Sequence, residues 1–112
     1  ALRERRAADY LKLWELTAMV PKWPRARLAV DDYRKLTASL MSWYFAGGGM
    51  YLSTAAQRAY KNVQTTITAV LEVPRNAEHD YDRVQKACSA LRTALTADLL
   101  SRSSAFWSRP LF

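Results

Sequence analysis

Hydrophobic residues recur at spacings of three and four along most of the chain, and no stretch alternates apolar and polar positions as a half-buried strand does. Four segments carry that helical period. The first, residues 2–20, holds Leu2, Tyr10, Leu11, Leu13, Trp14, Leu16, Ala18 and Val20 without Gly or Pro. Pro21 and Pro24 close it, because proline lacks a donor and restricts the residue before it. In the second, residues 31–46, Asp31 and Asp32 offer a cap and favourable negative charge ahead of Tyr33, Leu36, Leu40, Trp43 and Tyr44. Gly47, Gly48 and Gly49 stop it.

The third segment, residues 53–72, opens with Thr54 and Gln57 spaced as a capping box and keeps Ala56, Tyr60, Val63, Ile67, Val70 and Leu71 in one stripe. Pro74 ends it. Asn76 then caps residues 77–102, whose first turns carry Glu78, Asp80 and Asp82 and whose stripe is Tyr81, Val84, Cys88, Leu91, Leu95 and Leu99. Four helices joined by short loops predict an all-α, antiparallel up-and-down four-helix bundle, with residues 1–112 as one domain. That connectivity places the 21–30 and 73–77 loops at one end. Arg3 to Arg6, the glycine loop and a tail from Ser103 share the other.

Composition agrees with a folded domain: hydrophobic residues are 50% and charged residues 24% of the 112, away from the disordered corner of composition space. One Cys and one His supply neither a disulfide nor the three or four soft ligands of a zinc site. The expectation is therefore a reduced, metal-free and cofactor-free cytoplasmic domain, the cytoplasmic face of a membrane assembly included. Ala1 opens into the charged run Arg3-Glu4-Arg5-Arg6, not an apolar leader, and reads as a piece excised from a longer chain. The uncharged stretch from Leu36 to Gln57 is long enough to cross a bilayer, but the glycines at its middle mark a turn between two helices.

The net charge of +7 favours acidic partners, and it divides evenly along the chain, +4 over residues 1–56 and +3 over 57–112. Even spacing argues against a dedicated nucleic-acid face, which concentrates its charge. Most of the 13 aromatic residues, Trp14, Tyr33, Trp43, Tyr60 and Tyr81 among them, fall at core spacing. Trp23 and Trp107 do not. They stand beside Arg25 and Arg27, and beside Arg109, in segments predicted to be non-helical, a pattern that suits a protein hot spot, an anionic lipid surface or a stacked base. The plainer alternative is that both rings fold back as lids over the bundle ends.

Gly47, Gly48 and Gly49, with Arg102 nearby, could offer backbone N–H groups to an anion, although the Lys-Ser/Thr of a P-loop is missing. A helix stop followed by a tight turn is the simpler explanation. No enzyme is expected. His79 sits between Glu78 and Asp80 in an opening turn, Cys88 lies on a core stripe, no carboxylate falls within the stripes, and no nucleophile elbow is present. The reading is a non-catalytic interaction or regulatory module binding a protein partner or a second copy of itself. Nucleic acid, an anionic membrane surface and a small anion at the glycine loop are the rival ligands.

Overall fold

The computed structural model of the chain describes residues 2–108, with side chains described for residues 3–101. It contains α1 (Leu2–Thr17), α2 (Val30–Phe45), α3 (Thr54–Glu72) and α4 (Ala77–Ser108), with a single 3₁₀ turn, Gly48–Tyr51, between α2 and α3. Each helix packs on the next in sequence, and α1 closes the ring against α4. The result is a four-helix bundle with short connections and no strand among the described residues.

Local chemistry moves several helix ends from where spacing alone puts them. The N–H groups of Ala18 and Val20 bond carbonyls three residues back, each at 3.1 Å, so the last turn of α1 tightens and the helix ends at Thr17, not at 20. At α2 the capping position is Ala29, whose N–H donates to the Asp32 carboxylate at 2.8 Å. Asp31 and Asp32 thus act from inside the first turn instead of preceding it. Ser53, not Thr54, caps α3, its hydroxyl accepting from the Ala56 N–H at 3.2 Å. Asn76 caps α4 as its spacing predicts, accepting from the His79 N–H at 2.8 Å.

The largest departure is at the end of α4, which continues to Ser108, so residues 103–108 are helical where a tail was expected. No Gly or Pro interrupts that stretch before Pro110. Trp107 therefore belongs to a helix; its side chain, that of Arg102, and Arg109 lie outside the described residues.

The core runs the length of the bundle through Leu13, Leu36, Leu40, Val63, Ile67, Val84, Leu91 and Leu95, all at most 1% exposed. A polar seam fixes the register of α2 against α3: Thr37 bonds Gln64, Gln64 donates to the Tyr60 hydroxyl at 3.0 Å, and that hydroxyl donates to the Leu40 carbonyl at 2.9 Å. The two ends assemble as the connectivity requires. Tyr81 of α4 bonds Pro21 of the first loop, while Trp43 of α2 donates to the Asp9 carbonyl at 2.8 Å and the Tyr10 hydroxyl lies 2.6 Å from the Tyr51 carbonyl. No described helix is long and apolar enough to cross a membrane.

Candidate functional site

Residues 18–29 form the longest connection among the described residues, and Pro21 and Pro24 keep its second part out of either flanking helix. Tyr81 holds this loop at two points. Its hydroxyl donates to the Pro21 carbonyl at 2.5 Å and accepts from the Ala26 N–H at 3.1 Å, so one buried side chain of α4 ties down both sides of the Trp23 turn. Arg25 adds a third tether, stacking 4.6 Å over the Tyr81 ring and pairing with Asp82 at 2.6 Å. The hydrogen bond between them raises the Arg25 guanidinium and holds the Asp82 carboxyl below its ordinary range. Trp23 projects from this pinned loop with its side chain out in solvent, 85% exposed. It is not a lid.

Beside the loop lies a cavity of about 450 Å³ lined by Arg25, Arg27, Leu28, Tyr33, Glu78 and Tyr81. Tyr33 is buried, and burial, reinforced by the nearby Asp80, raises its hydroxyl pKa, so it remains a neutral donor at physiological pH. Trp23, Arg25 and Arg27 are thereby brought to one end of the molecule, as their sequence proximity suggested.

The electrostatic setting of that end was not legible in the chain. Because α2 and α4 run in the same direction, their acidic first turns meet at the same end. At that end Asp31, Asp32, Glu72, Glu78, Asp80 and Asp82 stand among Lys22, Arg25, Arg27, Arg34, Lys35, Arg75 and Arg83, with Arg25 paired to Asp82, Lys35 to Asp31 and Arg83 to Asp80. The Trp23 loop therefore sits among charges of both signs that are close to balance, in a chain of net charge +7.

At the opposite end the glycines have a packing explanation. Gly47 adopts φ = +125°, which ends α2 and which a side chain strains. A Cβ on Gly48 would lie 2.3 Å from the Trp43 ring, and one on Gly49 2.7 Å from the Tyr44 ring. Helix termination and close approach to two aromatic faces thus account for all three without a ligand. The groove between this loop and α1 is lined by Arg5 and Lys12 but also by Asp9 and Glu15, a mixture that selects no sign of ligand.

Two expectations about individual residues are corrected. Trp14 is 43% exposed, not core, because the buried face of α1 follows Tyr10, Leu13, Thr17 and Val20; the Trp14 ring turns to the α4 side, where the Arg92 guanidinium stands 5.9 Å from it. Carboxylates do fall on buried faces: Asp98, seven residues beyond Leu91, is 7% exposed and bonded by the Tyr10 hydroxyl, and Asp80 is 5% exposed and accepts from the Arg75 N–H at 3.0 Å. Both serve as internal acceptors. His79 is exposed, burial pushes the Cys88 thiol up to about 11, and no group of His, Cys, Asp or Glu among the described residues could hold a metal ion.

Spacing also missed an apolar strip along the outside of α1 and α4, where Leu11, Trp14 and Leu100 are exposed beside cavities of about 300 and 500 Å³. Leu11 and Trp14 are one position removed from the buried stripe, a distinction that a count of apolar residues cannot make. Comparison of the chain with protein-family models, with characterised proteins and with solved structures gives no match.

Proposed function

We propose that the domain is a non-catalytic interaction module whose loop end docks a protein partner, with Trp23 as the anchor and the adjoining cavity as the receiver of a partner side chain. The observation that carries this reading is a fully presented indole on a loop tethered by Tyr81 and Arg25. A large apolar ring in water has an unfavourable hydration cost, and it is the residue type that dominates interface energies when it is covered. Tethering reduces the ordering entropy lost on docking. The near balance of charge at this end lacks the concentrated basic surface that nucleic acid or anionic lipid selects, which ranks a protein above either of them here.

The test compares tagged wild-type chain with Trp23→Ala in retention of proteins from a native extract of the source cells, over a range of salt. Docking through Trp23 requires Trp23→Ala to keep its melting temperature and to weaken retention at least tenfold, on the scale of an interface hot spot. Retention that is unchanged in Trp23→Ala, or bound material that is nucleic acid released steeply by salt, contradicts the reading.

A further inference from the structure

We propose that the cavity between the Trp23 loop and the start of α4 is a carboxylate site, where Arg27, the Tyr33 hydroxyl and the first N–H groups of α4 hold an acidic group of the docked partner. The inference rests on the docking reading above and names the group that the cavity receives. Its lining holds hydrogen-bond donors that the fold leaves unused. Tyr33 is only 5% exposed and lines the cavity, yet its hydroxyl has no hydrogen-bond partner among the described residues. Such a buried hydroxyl forfeits a hydrogen bond that a ligand in the cavity restores.

The start of α4 supplies a second set of donors. The Asn76 side chain takes the His79 N–H and the Asn76 carbonyl takes that of Asp80, which leaves the N–H groups of Ala77 and Glu78 without an acceptor among the described residues. Both residues line the cavity. The first N–H groups of a helix point back along its axis, where negative charge is favoured. Arg27 adds a full charge. Of the two guanidinium groups in the lining, Arg25 is paired with Asp82 and feels Glu78 as well, whereas the exposed Arg27 has no acidic partner among the described residues. Asp80 and Asp32, whose charges reach the Tyr33 hydroxyl, are themselves held by the Arg75 and Ala29 N–H groups. A guanidinium, a neutral hydroxyl and a helix start thus border one space, and a carboxylate accepts from all three. Glu78 and Asp82 together offset the charge of Arg25 and Arg27, so the site suits one negative charge placed on Arg27 and not a doubly charged phosphate.

Nuclear magnetic resonance of the isotope-labelled full chain tests the proposal with two probes. N-acetylglutamic acid α-amide carries only a side-chain carboxylate, and N-acetylglycine carries only a terminal one. The backbone N–H signals of Ala77 and Glu78 and the Arg27 Nε–H signal should shift saturably, with a dissociation constant in the millimolar range set by a few charge-assisted hydrogen bonds. The tighter probe identifies whether the partner supplies a side chain or a chain terminus. Arg27→Gln should weaken binding at least tenfold and Tyr33→Phe at least threefold, with unchanged helical circular dichroism. Arg58→Gln, which removes the same charge from an exposed position at the opposite end, should leave binding unchanged. So should Trp23→Ala, which keeps a failure of this site distinct from a failure of docking through Trp23. If Tyr33→Phe loses helical content, Arg27→Gln alone carries the comparison. Equal shifts with N-acetylglutamine α-amide, the uncharged isostere, overturn the proposal. Equal shifts with chloride at the same ionic strength overturn it too, by showing an adventitious ion only. Binding that survives Arg27→Gln, or no shift with either acid up to about 100 mM, contradicts it as well.

Discussion

Tyr81 joins the core of the bundle to the loop that displays Trp23, with its ring buried in α4 and its hydroxyl spent on Pro21 and Ala26. Tyr81→Phe removes only an oxygen, yet it leaves a carbonyl and an N–H of the loop without their partner. The expected loss is about 1–3 kcal/mol, read from urea denaturation. Trp23→Ala, by contrast, should stay within about 0.5 kcal/mol of wild type, as substitutions at exposed positions do. Cys88 gives a pH signature. Its folded pKa of about 11 lies above the ordinary thiol value, so its contribution to stability is complete below about pH 8.5 and is lost as pH rises toward 11. Burial raises Tyr33 and Tyr60 too, with the same sign at higher pH. The urea midpoint should therefore fall on going from about pH 8 to about pH 11, and the slope should be shallower in Cys88→Ala. In the native protein the thiol should resist alkylation at about pH 8 until the chain is unfolded.

At the scale of the element, the helix stripes carry the fold. Leu91 and Leu95 are at most 1% exposed at the middle of α4, and Leu91→Ala or Leu95→Ala should each lose about 2–4 kcal/mol in thermal or urea denaturation. The turn between α2 and α3 is as sensitive for a different reason. Gly48→Ala drives a Cβ into the Trp43 indole, whose own N–H is fixed on Asp9, so the ring cannot yield without breaking that bond. A loss of about 1–3 kcal/mol is expected, against little change for Ala55→Gly beyond its helix propensity. The four stripes were legible because the 3.6-residue period survives any tertiary arrangement, as Tyr60, Val63, Ile67 and Val70 illustrate. Helix ends were less so. Ser53 and Thr54 are equivalent as a sequence signal, and only the backbone turn chooses between them. Trp14 failed for a related reason: one position along a helix is a rotation of 100°, and a cluster of apolar residues does not say which of them faces inward.

For the whole molecule, connectivity decides which charges meet. Up-and-down order makes α2 and α4 parallel, so the acids that favour each helix start meet beside the Trp23 loop, where Arg25, Lys35 and Arg83 pair with them. Exposure of Trp23 could not be read from the chain, since a lid and an anchor have the same sequence. What separates them is Tyr81, 58 residues further on, tying the loop down without its tryptophan. The account rests on that ring as the point of contact with a protein, and site-specific photo-crosslinking in the source cells tests it most directly. A photo-reactive residue in place of Trp23 should trap one or a few discrete protein adducts. The same residue in place of the exposed Lys61, on the middle of α3, should not trap them. No adduct at position 23, or the same adducts from both positions, would contradict the assignment of the loop end as the docking surface.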